Sequence, residues 1–291
     1  MIIEKYKDQI EILRGWLQIN QHLPQNIDDQ NLSKFLFSSD YSIEKAKNLM
    51  EICFRLRRDM PEIFSNRDPK NEEIQNIFGT VDYLPLPVLT KEKYKLFLYR
   101  LRDPNPDRFV YADSLKAFFM VADLRMYTDF EESEGEIPIF DMAGMSLKHI
   151  TKVNLSILRK YMTYTQEAHP VRLRAIHVVN VPTFLDKCVS LVKPFIKSDV
   201  SQLIHYHTPN SNTLNDFIPK ELLPIQYGGS LCDINDLAAK WREKIMENRD
   251  FFLDKSRWEI NEAKLKTKSD KFGGDNGNYG VVGSFRTLNI D

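Results

Sequence analysis

The chain has 291 residues, and 42% of them are hydrophobic, which is enough for one large domain and a smaller second unit. Its 40 Lys and Arg residues oppose 41 Asp and Glu residues, so the net charge is only -1. This balance argues against long-range attraction to nucleic acid or to an anionic membrane, and it restricts any basic patch to a local one.

Residues 2–78 follow a helical pattern, because apolar side chains recur at steps of three and four positions. One helix is expected to begin after Ser42 and to end near Met60, since Pro61 cannot continue a helix. We therefore predict a small all-helical module over residues 1–80.

The next segment, Leu84–Leu89, contains two prolines that remove backbone donors and favour extended geometry. We place a domain boundary there, with a second domain over residues 85–260 and a tail over residues 261–291. In the second domain, extended runs at 95–102, 137–142 and 173–180 alternate with helical stretches at 112–127 and 147–168. This alternation predicts an α/β layer with parallel strands.

Five of the eleven glycines lie in residues 273–283, where no strand precedes them. A phosphate-binding loop requires a strand that leads in and a helix that leads out, so we expect a flexible or peripherally docked tail instead. The three cysteines are far apart and predict reduced thiols. Charges interrupt the N-terminal residues and no uncharged stretch is long enough to cross a bilayer, which predicts a cytoplasmic protein.

The sequence holds none of the common hydrolase, protease, kinase or dinucleotide motifs. His205 and His207 would share one strand face, as zinc ligands do, but no third ligand follows nearby, so we predict no metal site. Asp141, His177 and Asp186 are the candidates for a catalytic group, yet no nucleophile accompanies them. We expect no catalytic residue and no enzyme, with Asp141 capping a turn.

Residues 182–196, PTFLDKCVSLVKPFI, form an unusually apolar helical pattern. Its polar positions are few, and they include Asp186, Lys187 and Lys193. A helix of this kind either packs in a core or lines an apolar cavity as a lid, and the pattern leaves both interpretations open.

Several segments resemble the CRAL-TRIO lipid-binding family, the fold of the tocopherol and retinaldehyde transfer proteins and of yeast phosphatidylinositol transfer proteins. Residues 175–196, AIHVVNVPTFLDKCVSLVKPFI, resemble its strand-to-gate segment, and residues 218–229, IPKELLPIQYGG, resemble its terminal signature. IFDMAG at 139–144 and the helical residues 33–50 extend the resemblance, which covers about residues 5–260. The ending GSFRTLNID resembles the tails of arthropod members.

The resemblance implies a mixed, mainly parallel sheet whose helices enclose a lipid cavity behind a gate helix at residues 183–196. It implies no cofactor beyond a bound hydrophobic lipid. Carried over by position, the implied wall residues are Phe118, Ala122, Ile137, Ile139, Val179, Val181, Phe184, Leu185, Cys188, Leu191 and Val192. The lysines implied to contact a membrane or a lipid headgroup are Lys187, Lys193 and Lys197.

Two departures from the family concern ligand choice. Phe118 and Ala122 replace the small hydroxyl residues of tocopherol-transfer members, which predicts a less polar cavity. Residues 37–39 are Phe-Ser-Ser where phosphoinositide binders are basic, and Asp199 and Ser201 stand where a basic pair is expected. Most of a phosphoinositide clamp is therefore missing.

These observations lead to two hypotheses. The first is a monomeric intracellular carrier that takes a tocopherol, retinoid, carotenoid or similar isoprenoid between membranes, with transient membrane contact and no nucleic-acid partner. The alternative is a module that senses a phospholipid or phosphoinositide and regulates a protein partner.

Overall fold

A computed structural model describes residues 2–265 of the chain. The glycine-rich stretch at 273–283 and the ending at 283–291 lie outside the described residues. The expectations for most of the tail are therefore not addressed by the structure.

Residues 2–80 form helices, as the apolar spacing predicts, and short polar caps mark where two of them begin. The Asp28 carboxylate accepts a hydrogen bond from the Asn31 amide at 2.9 Å, and the Ser42 hydroxyl accepts one from the Lys45 amide. Pro61 is the first residue of a new helix rather than a continuation. The helices are α1 (Ile2–Lys5), α2 (Lys7–Ile19), α3 (Asp29–Ser38), α4 (Ile43–Arg58), α5 (Pro61–Phe64) and α6 (Glu72–Thr80).

The centre of the second half is a sheet with five strands in the order β1-β2-β3-β4-β5 among the described residues. The first two strands are antiparallel and the remaining pairs are parallel, which confirms the predicted mixed, mainly parallel sheet. The strands are β1 (Val81–Leu89), β2 (Tyr94–Leu101), β3 (Gly135–Asp141), β4 (Ile176–Val179) and β5 (Ile204–Tyr206).

The segment Leu84–Leu89, predicted as a boundary between domains, is part of β1. This strand begins directly after α6. β1 lies at the edge of the sheet, where Pro85 and Pro87 cost little because one side of the strand has no neighbour to bond. The pairing with β2 becomes irregular between Pro85 and Leu89. The prolines therefore lie in an edge strand of the sheet.

The remaining helices are α7 (Tyr111–Thr128), α8 (Leu147–Thr151), α9 (Leu155–Glu167), α10 (Leu185–Val192), α11 (Ser198–Ser201), α12 (Ile234–Glu247), α13 (Arg249–Leu253) and α14 (Lys255–Trp258). The prediction of one helix over 147–168 is wrong. The Asn154 side chain accepts hydrogen bonds from the amides of Ser156 and Ile157 at 2.9 and 3.1 Å, so a new helix begins there.

The two faces of the sheet are covered differently. On one face, Leu98, Ile139 and Val179 pack with Leu237 and Ala238 of α12 in a closed core. Helices α7, α9 and α10 lie on the other face, where the packing leaves an internal cavity. The fold thus places an apolar core on one side of the sheet and an apolar cavity on the other.

A buried ion cluster joins the helical module to α7. Asp123 of α7 is 1% exposed and accepts hydrogen bonds from Arg57 of α4 at 2.5 and 3.0 Å and from Arg67 at 2.5 Å. Arg57 also donates to the Tyr164 hydroxyl of α9 at 3.1 Å. Burial opposes ionisation, but the two guanidinium groups hold the pKa of Asp123 below its ordinary value.

The Asp123→Asn variant tests this cluster. The variant removes the negative charge that the two buried guanidinium groups share. We therefore expect the free energy of unfolding to fall by about 3–5 kcal/mol. Asp59→Asn, which removes an exposed partner of Arg58, should cost no more than about 0.5 kcal/mol. Urea denaturation measures the free energy of unfolding of both variants. An equal decrease in the two variants would contradict a central role for Asp123.

Candidate functional site

Two rows of side chains cross the open face of the sheet and form one wall of a cavity of about 450 Å³. Strand pairing sets these rows, because residues in register project from the same face. One row is Tyr99, Phe140, Val178 and Tyr206, and the other is Phe97, Pro138, Ile176 and Ile204. We call this cavity the main chamber.

Helices supply the opposite wall of the main chamber. Phe118 and Ala122 come from α7, Tyr161 and Met162 from α9, and Val192 from α10. The α7 helix is buried almost all round, since it faces the chamber, the helical module and the edge of the sheet. The wall is therefore apolar over most of its area.

A second space of about 310 Å³, the side chamber, adjoins the main chamber. Tyr99, Phe118 and Tyr161 line both chambers, so the two share a wall. The side chamber extends toward Tyr83 and Leu158. Both chambers are mostly apolar, and their volumes are in the size range of pockets that take small ligands.

Six of the predicted wall residues line this space. They are Phe118, Ala122, Leu185, Cys188, Leu191 and Val192. Each comes from a helix, and the resemblance to the family implies each of them by position.

The predicted wall residues on strands lie elsewhere. Ile137, Ile139 and Val179 belong to the core on the opposite face of the sheet. Side chains alternate along a strand, so the neighbouring Pro138 and Val178 line the chamber in their place. Both faces of these strands are apolar, and the sequence pattern therefore does not identify the inner one.

Val181 and Phe184 also lie outside the lining of both chambers. Val181 follows β4, and its amide donates to the His207 carbonyl. Phe184 directly precedes α10 and is partly exposed. These two residues connect the strand to the helix rather than forming the wall.

Helix α10 and the short turn after it close the chambers; we call residues 183–196 the gate segment. No residue of α10 is fully buried, whereas α7 on the same wall is buried along most of its length. Gln166 of α9 holds its C-terminal end, because the Gln166 amide donates to the Phe195 carbonyl at 2.9 Å and its oxygen accepts from the Lys197 amide at 2.8 Å. The helix is thus anchored at one end and lightly packed.

The three predicted headgroup lysines differ in their surroundings. Lys187 and Lys193 are exposed on the outer side of the gate segment. Lys197 is partly buried and forms an ion pair with Glu167 at 3.0 Å. Lys187 and Lys193 are therefore the more accessible charges beside the gate.

The polar end of the main chamber contains Arg125, Glu136 and His169. Arg125 of α7 and Glu136 of β3 form an ion pair. Burial lowers the pKa of His169 to about 4, so the imidazole is neutral near pH 7. The prediction from sequence missed these residues, because their proximity depends on contacts between distant parts of the chain.

The candidates for catalysis have other partners. The Asp141 carboxylate accepts hydrogen bonds from the Tyr227 hydroxyl at 2.5 Å, from the Asn180 amide group at 2.8 Å and from the Ala143 amide at 2.8 Å. These bonds tie the end of β3 to the YGG segment, and the bond to Ala143 is the turn-capping bond that we expected. Asp186 is exposed on α10.

His177, the third candidate, belongs to a group of imidazoles on the closed face of the sheet. Its Nδ1 lies 3.0 Å from Nε2 of His207, and Nδ1 of His207 lies 2.8 Å from the Thr213 hydroxyl. The His205 ring stacks on that of His177. Among residues 2–265, no group of three or more His, Cys, Asp and Glu side chains has the arrangement of a metal site.

Fold and cavity define an α/β protein that encloses an apolar chamber behind an amphipathic helix. Residues 2–74 match the Pinta-like UBA domain, and residues 83–229 match the CRAL/TRIO domain. The chain therefore belongs to the CRAL/TRIO family, whose members bind and transfer lipids. In the part that the structure describes, no helix is both long and apolar enough to cross a membrane.

Similar proteins include human alpha-tocopherol transfer protein-like, which is 23% identical over 232 residues, or 80% of this chain and 67% of that protein. Clavesin-1 of Xenopus laevis is 26% identical over 206 residues, which cover 70% of this chain and 61% of clavesin-1. The crystal structure of Sfh5 aligns with a TM-score of 0.48 at 16% identity, covering 72% of this chain and 75% of Sfh5.

The histidine group predicts that stability depends on pH. Burial and the imidazoles of His207 and His205 lower the pKa of His177 to about 4, against about 6.5 in an unfolded chain. Between these values the unfolded chain binds more protons, so the free energy of unfolding should fall as the pH falls from about 6.5 to about 4. The loss should reach at most about 1.4 kcal/mol per pH unit for this one residue.

The matched variant is His177→Gln, which keeps a polar side chain but cannot titrate. Urea denaturation at several pH values should give a shallower pH dependence for the variant than for the parent protein. If the free energy of unfolding depends on pH in the same way in the variant and in the parent protein, His177 does not titrate as its surroundings imply.

Proposed function

We propose that the protein binds one isoprenoid-type lipid per chain in the two chambers and carries it unmodified between membranes inside the cell. The observation that supports this most is the continuous apolar wall from the β-sheet across α7 and α9 to the gate segment. A lipid gains on the order of 25 cal/mol for each Å² of apolar surface that it removes from water. Burial alone therefore supplies affinity, without a bond-making step.

The shape of the chambers supports an isoprenoid rather than a phospholipid. Aromatic rings line both chambers, among them Tyr99, Phe118 and Phe140, and such walls suit a single chain or a ring system. Residues 37–39 carry no basic side chain that would bind a phosphorylated headgroup. The name of the human relative, alpha-tocopherol transfer protein-like, points to the same class of ligand.

Release requires that the gate segment moves, because the lipid lies behind α10. The light packing of α10 and its anchor at Gln166 support a hinge at the C-terminal end of the segment. The apolar inner side of α10 would then meet a membrane while Lys187 and Lys193 contact lipid headgroups.

Native mass spectrometry after incubation with tocopherols, retinoids, carotenoids, sterols and phosphoinositides tests the proposal. We expect one unmodified isoprenoid per chain. Selective retention of a phosphoinositide would favour the sensor hypothesis instead, and retention of no lipid, or recovery of a chemically altered one, would contradict the carrier.

Val178 allows a test of the chamber with two changes at one position. Its side chain projects from β4 into the main chamber, so Val178→Trp should fill that space and reduce lipid retention by at least about tenfold. Val178→Ala leaves the space open and should retain lipid. Thermal melting identifies folded samples, and equal retention by two folded variants would place the lipid elsewhere.

The double variant Lys187→Gln and Lys193→Gln tests membrane contact. Each lysine near an anionic surface is worth about 1 kcal/mol, so binding to phosphatidylserine vesicles should weaken by roughly thirtyfold in cosedimentation. The control changes two other exposed lysines, Lys240 and Lys255, to Gln. If both double variants bind vesicles equally, the gate lysines do not face the membrane.

A further inference from the structure

The main chamber is not apolar throughout. At one end its wall contains the side chains of Arg125, Glu136 and His169, contributed by α7, β3 and the turn after α9. We call this group the polar end. These three residues come from separate elements, so the fold and not one local motif brings them together.

Two other polar side chains of this wall, Thr165 and Gln166, already have protein partners. The Thr165 hydroxyl donates to the Tyr161 carbonyl at 3.1 Å. The Gln166 side chain donates to two carbonyls and accepts from the Lys197 amide. Neither group has to bind a ligand to be satisfied.

The polar end, by contrast, retains unused hydrogen-bonding capacity. Within the described residues the His169 imidazole makes no side-chain hydrogen bond and only packs against the rings of Phe119 and Tyr164. The Arg125 guanidinium has five N–H groups, and among the described residues it donates one side-chain hydrogen bond, to Glu136. Buried polar groups in proteins are usually paired, so these groups suit a polar atom of the ligand.

The charges at the polar end favour an uncharged ligand group. Arg125 and Glu136 neutralise each other, and an uncharged ligand group placed beside them leaves this buried pair balanced. A purely hydrocarbon ligand would leave the polar groups without partners. An uncharged group that both donates and accepts hydrogen bonds is complementary to the polar end, where Arg125 is a donor and Glu136 and His169 are acceptors.

We propose that the lipid ends in an uncharged hydroxyl group, which donates to His169 and accepts from Arg125. This assignment rests on the proposed function, because it names the class of lipid that the chambers hold. It also sets the direction of the ligand, with the hydroxyl at the polar end and the apolar chain extending toward the side chamber.

Three probes with the same hydrocarbon chain test the assignment: phytol, its methyl ether and phytanic acid. Sites that hydrogen-bond a substrate hydroxyl discriminate strongly against analogues that lack it. In competition, measured by native mass spectrometry, we expect phytol to be retained at least about tenfold over both other probes. Equal retention of phytol and its ether, or preference for the acid, would overturn the hydroxyl assignment while leaving the carrier intact.

Variants at His169 identify the residues involved. His169→Phe keeps the ring contacts but removes hydrogen bonding, so the preference for phytol over the ether should fall about fivefold or more, and His169→Gln should restore part of it. His205→Phe is the matched control, because His205 lies on the opposite face of the sheet. A preference unchanged in His169→Phe would assign the hydroxyl to another group, such as Tyr99 or Tyr161, and would contradict the proposal.

One outcome separates this inference from the function on which it rests. If none of the three probes and no lipid of the wider panel is retained, the carrier function itself is wrong. The proposed hydroxyl site is then wrong as well. The ratio of phytol to ether in the parent protein decides the hydroxyl question even if a His169 variant does not fold.

Discussion

The buried carboxylate of Asp123 is the interaction on which the architecture depends. It binds Arg57 and Arg67 from the helical module, while the helix that carries it, α7, presents Phe118 and Ala122 to the chambers. Desolvating three charges costs free energy that only their mutual pairing offsets, so these partners must stay together. The helical module therefore sets the position of one chamber wall, although it contributes no residue to the lining of the main chamber.

A second constraint is the difference between the two faces of the sheet. One face is closed by α12 and the segment before it, and the hydrogen bond that the Tyr227 hydroxyl donates to Asp141 ties that segment to the end of β3. The other face remains partly open beneath α7, α9 and the gate segment. A sheet with a packed core behind it and a lightly packed gate segment in front suits a carrier, because the ligand must be enclosed and later released.

Much of this arrangement is predictable from sequence, and the exceptions have physical reasons. Helical spacing predicts that α7 and α10 are helices, but only the resemblance to the family indicates which of their residues face the chamber, because α7 is apolar on more than one side. The same ambiguity arises on β3, where Ile139 and Phe140 are both apolar and alternation alone does not tell the chamber from the core. The polar end combines residues from three elements, so only the folded chain shows that Arg125, Glu136 and His169 meet.

The central claim is that a lipid lies between the open face of the sheet and the gate segment, and a crystal structure of the protein with its retained lipid tests it most directly. The account predicts ligand density against Tyr99, Phe140 and Val178 on one side and against Cys188 and Val192 on the other. Density for the retained lipid on the outer surface, or against the helical module, would contradict the account.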